Sequence, residues 1–189
     1  MRIKVVWASL CGLWLAAAAA LAQSDGSSTD PRVLERRREI DTRAQQTLDK
    51  LLGSQSAVKN LYDRAAGYAV FTATKAGFIV TGGGGTGVAV DKASGRRTYM
   101  RMGTGGVGLG IGAQRYDVVI LFETPAHVDR FIRGGWDAST TAQAAAGSDG
   151  VNVTSSFIDG VAFYQITDKG LMAQADISGT RFWPIEDLN

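Results

Sequence analysis

The chain has 189 residues, of which 45% are hydrophobic and 20% are charged, and its formal net charge is +2 at neutral pH. This length suits one domain with a hydrophobic core of its own. A charge so close to neutral argues against a general nucleic-acid-binding protein, because such a protein needs a strongly basic surface.

The N-terminus has the pattern of a secretory signal peptide. Arg2 and Lys4 give a basic start, Val5–Ala19 is an apolar run, and Ala20-Leu21-Ala22 is a cleavage site of small residues. We therefore predict cleavage after residue 22 and export to a bacterial periplasm, with a peripheral position on a membrane as one alternative there. The polar residues that follow, 23–32, are predicted to form a flexible leader before a single domain over residues 33–189.

Cleavage at that point would change both the charge and the redox chemistry of the chain. It removes two basic residues and no acid, so the count of Lys and Arg falls from 20 to 18 against 18 Asp and Glu. The one cysteine, Cys11, lies inside the apolar run and leaves with the signal peptide. The exported protein is thus predicted to be near neutral, with neither a disulfide nor a reactive thiol.

Two helices are predicted at the start of the domain. Apolar residues recur with helical spacing across Val33–Leu52, and Gly53 follows as a stop signal. A second helix begins at Ser54 or Ser56, either of which can act as its N-cap. Gly67 stands where a glycine commonly closes a helix, just after its last residue.

Two glycine-rich stretches after these helices alternate with a period of two, Gly77–Val90 and Gly103–Ala113. In the second, Val107, Leu109 and Ile111 share one parity and glycines share the other, which predicts a strand with one bare face. A helix there would lose about 1 kcal/mol per glycine relative to alanine.

Further strands are predicted from the same alternation, with a break near residues 74–77 and a hairpin turn at Asp91–Gly95. Asp117–Phe122 is apolar enough to be buried on both faces. The remaining strands are Tyr68–Thr72, Gly77–Thr81, Gly87–Val90, Arg97–Met102, Trp136–Ala146, Val151–Ile158, Val161–Thr167, Leu171–Ser178 and Arg181–Trp183.

One short helix interrupts the strands. Thr124 is its N-cap, Pro125 is its first residue, Val128 and Phe131 lie on its buried side with Ile132, and Gly134 ends it. The predicted fold is therefore α+β. Two N-terminal helices precede a mainly antiparallel, strongly twisted and glycine-rich sheet of about eight strands, with barrel-like closure of the sheet as an open alternative.

Enzyme and cofactor patterns are weak in this sequence. Gly82-x-Gly84-x-x-Gly87 and Gly103-x-Gly105-x-x-Gly108 match the dinucleotide pattern but lead into strands, whereas that site needs a following helix. The single histidine, His127, is predicted to be an exposed helix residue, with no cysteine nearby for a metal site. The acidic residues are scattered near turns. We predict no enzyme, no cofactor and no metal site.

Basic residues are the more informative group. Lys92, Arg96, Arg97 and Arg101 cluster on one hairpin, beside an aromatic residue, Tyr99, that is predicted to be exposed. Such a hairpin can bind anionic lipid headgroups at about 1 kcal/mol per charge. The alternative is an ordinary solvated turn. The other basic candidates are Lys75 and the helix cluster Arg36, Arg37 and Arg38, which has acids interleaved with it.

Several short motifs occur in a fixed order along the domain: Gly67–Phe71, Lys75–Phe78, Gly82–Gly87, Gly103–Gly112, Asp117–Phe122 and Lys169–Ala173. In this order they resemble the SYLF domain family, and the resemblance covers roughly Leu34–Phe182. It implies a lipid-binding rather than a catalytic protein, since eukaryotic members bind phosphoinositide-rich membranes and some fungal members bind actin filaments. The lipid-binding N-terminal helix of the family corresponds loosely to Val33–Leu52, which adds Arg43 to the candidates.

This chain is similar to stand-alone bacterial members and has no SH3 or FYVE domain, so phosphoinositides and actin are not the expected ligands. We predict an exported, non-enzymatic module that binds phospholipid or an anionic membrane surface of the cell envelope, and no nucleic acid. The alternative is an envelope interaction module that binds a protein or peptide, with the glycine-faced strand receiving a partner strand.

Overall fold

The computed structural model describes residues 30–54, 56–77, 80–107, 112–134, 156–167, 170–172 and 179–189. Three α-helices, seven strands and a final 3-10 turn follow one another in these parts of the chain. They are α1 (Pro31–Leu52), α2 (Ser56–Arg64), β1 (Gly67–Gly77), β2 (Val80–Asp91), β3 (Arg97–Val107), β4 (Gly112–Phe122), α3 (Pro125–Ile132), β5 (Val161–Thr167), β6 (Gly170–Met172), β7 (Thr180–Pro184) and η1 (Glu186–Leu188). This order confirms the predicted α+β class, with two N-terminal helices and one inserted helix. The predicted signal peptide lies outside the described residues.

The strands form one antiparallel sheet in the order β6-β5-β4-β1-β2-β3-β7. Its long central strand, β1, pairs with β2 on one side and with β4 on the other over its whole length. In the described part of the chain the sheet is open, with β6 and β7 at its two edges. The alternative of closure into a barrel is therefore wrong for this sheet.

Three predicted strand boundaries are corrected by this pairing. β1 is continuous through residues 74–77, because Lys75 and Ala76 pair with β2 and β4 at once. The four-glycine run lies inside β2 rather than between two strands. The predicted strand Gly103–Ala113 is shared between the end of β3 and the start of β4. The predicted strand at 136–146 and most of those at 151–158 and 171–178 lie outside the described residues.

Gly67 does not close a helix, as its position in the sequence had indicated. It is the first residue of β1, and α2 ends at Arg64. A Cβ atom on Gly67 would lie 2.6 Å from both Val128 Cγ2 of α3 and Val90 O of β2. Gly67 is therefore needed for close packing, because any side chain here would push α3 and β2 away from β1.

α1 ends at Leu52, as the sequence predicts, but it begins at Pro31, two residues before the predicted start at Val33. Asp30 is its N-cap and accepts a hydrogen bond from the Arg32 amide at 2.8 Å, and Gly53 follows its last residue. This is the usual way in which a short acidic side chain satisfies a free amide of the first turn. One stripe of the helix is buried against the sheet, and it consists of Ile40, Ala44, Thr47, Leu48 and Leu51.

The sheet is covered on both sides, which gives the domain two hydrophobic cores. We call the side under α1 and α2 the α1 face and the side under α3 the α3 face. Alternate residues of β1 divide between them, with Val70 on the α1 face and Phe71 on the α3 face. Residues 118–122 are all at most 1% exposed, which confirms the prediction that this segment is buried on both faces.

α3 closes the second core with aromatic contacts. The ring of Phe131 lies 5.0 Å from that of Phe122 and 5.1 Å from that of Phe182, measured between centroids. These spacings are typical of favourable aromatic pairs. The helix begins after Thr124 as predicted, although the Thr124 hydroxyl bonds to His127 rather than capping a backbone amide. Within the residues described, no helix is both long and apolar enough to cross a membrane.

Candidate functional site

The basic hairpin predicted as the lipid contact is tied to the helices of the domain. Lys92 Nζ donates to the Tyr62 carbonyl of α2 at 2.8 Å and lies 4.4 Å from the centroid of the Tyr62 ring. Arg96 forms an ion pair of 2.9 Å with Asp129 of α3. The sequence had suggested little acid beside these cations, but the helices supply their partners from distant parts of the chain.

Arg97 completes this arrangement on α1. It binds Asp41 at 2.7 Å, and the Tyr99 hydroxyl donates to the same carboxylate at 3.0 Å. The Tyr99 side chain is only 7% exposed, so the prediction of an exposed aromatic beside the hairpin is wrong. Burial, together with the charge of Asp41, raises the pKa of the Tyr99 hydroxyl. Burial would lower the pKa of Arg97, but the bond to Asp41 raises it overall.

The side chains of Arg36, Arg37 and Arg38 lie on different sides of α1, because successive residues of a helix point in different directions. Arg37 Nε donates to the Leu188 carbonyl at 2.9 Å, and its guanidinium lies 5.6 Å from the Tyr99 ring centroid. Arg38 is exposed, with its nearest carboxylate, that of Glu35, at 4.0 Å. Arg36 points instead into a groove beside the helix. Residues that are adjacent in sequence therefore have three different environments.

The remaining two candidates lie on opposite faces of the sheet. Lys75 alternates with Phe71 and Ala73 along β1, which places it on the α3 face, where it is half-buried. Arg101 pairs with Thr86 on the α1 face and is exposed. The eight predicted residues are thus not brought together into one surface. Only Arg36 and Arg101 combine an exposed position on the α1 side with no ion pair or hydrogen bond among the described residues.

The groove beside Arg36 has a volume of about 400 Å³ and runs between the N-terminal half of α1 and strands β1 and β2. Its floor is apolar or small, and charged residues of α1 form its rim. The lining residues are Arg32, Glu35, Arg36, Glu39, Ile40, Arg43, Ala44, Val70, Thr72, Thr86 and Gly87. A site of this size, with an apolar floor and a few polar groups, is suited to a small ligand or to part of a larger one.

The rim cations differ in how far they are neutralised. Arg43 binds Glu39 at 2.6 Å, one turn earlier on the helix, and Arg32 lies 3.6 Å from Asp30. Arg36 has no such partner in the described residues. A bound anion would therefore meet the guanidinium of Arg36, which has no ion pair in the described residues. It would also meet those of Arg32 and Arg43, whose ion pairs are exposed and therefore weak.

Two comparisons with known proteins bear on this chain. Residues 103–189 match the sequence model of a family described as Las17-binding protein actin regulator, Ysc84. Beta cell expansion factor A of Aeromonas veronii is 40% identical over 154 residues, which are 82% of this chain and 59% of that relative. Both comparisons support the predicted resemblance to the SYLF family. The chain spans a little under three fifths of the relative that it matches.

Most of the groove beside α1 was not predicted from the sequence. Arg32, Arg36 and Arg43 are separated by four and seven residues, which is the spacing of one helix face, and that signal was available. The strand side was not, because Thr72 and Thr86 look like ordinary strand residues. Their place in the groove depends on the pairing of β1 with β2 and on the side of the sheet that α1 covers.

A metal site is not found in the part of the chain that the structure describes. There, no three His, Cys, Asp or Glu side chains are close enough to hold a metal ion. His127 is half-buried rather than exposed, because Nδ1 lies 2.8 Å from the Thr124 hydroxyl and its ring lies against Gly160. It belongs to α3, on the other side of the sheet from the groove.

The alternative of a partner strand added to the glycine strands is wrong for β2 and for the part of β3 that pairs with β7, Met100–Thr104. β2 has β1 and β3 as neighbours, and β3 has β2 and β7. Their backbone hydrogen-bonding groups are therefore used within the sheet, whereas strand addition needs an unpaired edge.

Proposed function

We propose that this protein, like the SYLF family that it resembles, is a non-enzymatic binder of anionic phospholipid, and that it acts at the bacterial cell envelope after export. The observation that carries the proposal is the groove of about 400 Å³ beside α1, in which Arg36 has no ion pair among the described residues and lies beside an apolar floor. The description of the matching family concerns actin regulation, and the name of the relative concerns cell expansion. Neither names a reaction, so a binding role agrees with both.

The groove has the two kinds of surface that a phospholipid needs. Arg32, Arg36 and Arg43 provide guanidinium groups at the rim, and guanidinium is well suited to phosphate because it donates several hydrogen bonds from one plane. Ile40 and Val70 provide apolar surface below them. The volume fits a headgroup and the first methylenes of an acyl chain, so the rest of the lipid would stay in the membrane.

Vesicle flotation tests the binding role. Wild-type protein is mixed with vesicles of phosphatidylcholine alone and with vesicles that also contain phosphatidylglycerol, and the bound fraction is measured. We expect binding to the anionic vesicles only, and a loss of about fivefold for Arg36→Gln, since one basic residue near an anionic surface contributes about 1 kcal/mol. Equal or negligible binding to both vesicle types would overturn the proposal.

Arg38→Gln is the matched control for this experiment. It removes the same charge from the same helix only two residues away, but Arg38 does not line the groove. We expect its affinity to stay within twofold of wild type. Lipid extracted after prolonged incubation should have its original mass, and cleaved or transferred lipid would contradict the non-enzymatic role.

Export is tested separately by fractionation of the native host. We expect the protein in the periplasmic or membrane-peripheral fraction, with Gln23 as the N-terminal residue by mass spectrometry of the intact chain. Recovery of the full-length chain in the cytoplasm would contradict this part of the proposal and leave the lipid binding to be judged on its own.

A further inference from the structure

A patch of bare backbone lies on the α1 face of the sheet, beyond the groove. It consists of Gly82 and Gly84 of β2 and, opposite them in register, Gly105 and Gly103 of β3. We call these four residues the glycine platform. Gly82, Gly84 and Gly105 are exposed, and a Cβ atom on Gly82 or Gly105 would meet no atom within 4 Å.

This openness is unusual because the glycines of the opposite parity are tightly packed. A Cβ atom on Gly85 would overlap the Thr72 carbonyl and come within 2.8 Å of Ala73, so glycine is required there for the packing of the sheet. No such reason exists for Gly82 or Gly105. Glycine weakens a strand, and where packing does not explain it, close approach of a ligand to the backbone does.

Three arginines surround the platform on the same face. Arg115 and Arg181 lie at the two ends of one row across the sheet, in which Thr74, Gly84 and Gly103 are the successive neighbours. Arg101 lies in the next row. All three are exposed, and in the described parts of the chain none has an ion pair or a hydrogen bond. Within the described residues, the platform is therefore framed by positive charge that has no acidic partner.

Trp183 is the one large apolar side chain on this surface among the residues that the structure describes. It pairs with Arg101 in register, and Cη2 of its ring lies 2.9 Å from where a Cβ atom of Gly103 would be, so the ring lies over that glycine. Covering a neighbouring glycine explains where the ring lies. It does not explain why the side chain stays 43% exposed at the edge of the sheet, next to Arg101. Tryptophan is enriched where one end of a side chain meets lipid and the other meets water.

We propose that the glycine platform rests directly on the headgroup layer of an anionic phospholipid bilayer, with Trp183 inserted at the interface. This inference rests on the proposed function and names the face that meets the membrane. A backbone surface without side chains allows the arginines around it to reach the headgroups together. A symmetric second copy of this chain is a poorer fit, because it would bring two sets of like charges face to face.

The test compares two double variants that remove the same charge. Arg115→Gln with Arg181→Gln changes the platform, and Arg130→Gln with Arg133→Gln changes exposed arginines at the end of α3, on the other side of the sheet. With vesicles of phosphatidylcholine and phosphatidylglycerol, we expect about 25-fold weaker binding for the platform pair. The α3 pair should stay within twofold of wild type, which shows that net charge alone is not measured.

Trp183 supplies an independent readout of contact. Brominated phosphatidylcholine in the anionic vesicles quenches only tryptophans that enter the bilayer interface. We expect quenching in wild type that disappears in Trp183→Phe, so that the difference between the two proteins isolates this one side chain. Should the platform pair fail to fold, as judged by circular dichroism, the quenching of wild type still decides the matter.

The outcomes separate this inference from the proposed function. If wild type does not bind anionic vesicles, both are overturned. If wild type binds, but the platform pair binds as the α3 pair does and Trp183 is not quenched, the platform is overturned and lipid binding stands. Self-association that the platform pair abolishes, measured by sedimentation velocity without lipid, would also overturn the membrane assignment in favour of a dimer.

Discussion

Basic residues lie near both ends of the β2–β3 hairpin, but the contacts that these residues make differ between the two ends. At the turn, residues 91–97, each of three cations reaches a different helix: Lys92 reaches α2, Arg96 reaches α3 and Arg97 reaches α1. At the glycine end, the cations around the platform have no partner among the described residues. We call these the tied end and the open end of the hairpin.

This difference distinguishes basic residues that hold parts of the fold together from basic residues that are available to bind a ligand. An exposed ion pair contributes only about 0–1 kcal/mol, so the tied end gains little stability from each contact. Its cations are nevertheless neutralised and positioned, and a ligand would have to displace a carboxylate to use them. At the open end the full charge is available, which is why the function is assigned there and to Arg36.

The largest expected change in stability distinguishes two glycines of β2 that face opposite sides of the sheet. Gly85→Ala should lower the free energy of unfolding by about 3 kcal/mol, because its Cβ atom meets backbone that cannot move aside. Gly82→Ala, three residues earlier and on the open face, should change it by less than about 0.5 kcal/mol. Urea unfolding of both variants measures the difference. Similar losses for both would show that the platform is not open.

The next largest effect is that alkaline pH should destabilise the core beneath α1 and α2. Burial raises the pKa of Tyr164, in the core beneath α1 and α2, to about 12. The folded state therefore keeps the proton on this hydroxyl, while an unfolded tyrosine loses it near pH 10. Stability should be constant below about pH 10 and fall between there and pH 12, by an amount on the order of 2 kcal/mol.

Urea unfolding at a series of pH values measures this effect, and Tyr164→Phe is the control. The variant should show a much shallower decline, with a remainder from Tyr99, whose pKa is also raised by burial and by Asp41. An unchanged decline in Tyr164→Phe would assign the alkaline loss to other groups.

The smallest expected changes in stability come from a comparison of one arginine at each end. Arg97→Gln should cost about 0.5 kcal/mol of stability, through loss of its ion pair with Asp41, and should change vesicle binding less than twofold. Arg101→Gln should leave stability unchanged but weaken vesicle binding about fivefold. Thermal unfolding and flotation on the same samples measure both. The same pattern in both variants would remove the distinction between tied and open ends.

Much of the fold could be predicted because its signals are local. The end of α1 needs only the stop signal at Gly53, and the turn at Asp91–Gly95 needs only its own residues. The continuity of β1 could not, since Lys75-Ala76-Gly77 has the composition of a turn. It stays extended because strands on both sides pair with it, which overrides local preference.

The candidate site was harder to predict for the same reason. Arg97 and its partner Asp41 are 56 residues apart, and Arg96 and Asp129 are 33 apart. No pattern in the sequence distinguishes these cations from Arg101, which has no partner in the described residues. The two kinds of glycine in β2 are likewise identical in sequence, and only the packing of β1 beneath one parity separates them.

The pairing of β3 with β7 also has a consequence for folding. It joins Met100 to Pro184, and 184 − 100 gives a separation of 84 residues. Contacts this distant form late, because closing a long loop costs entropy before the contact repays it. Since β7 supplies both Arg181 and Trp183, a partly folded chain with only its first hairpins would have the glycine platform without these two neighbouring side chains. The proposed contact of this face with the membrane should therefore be completed in the last step of folding.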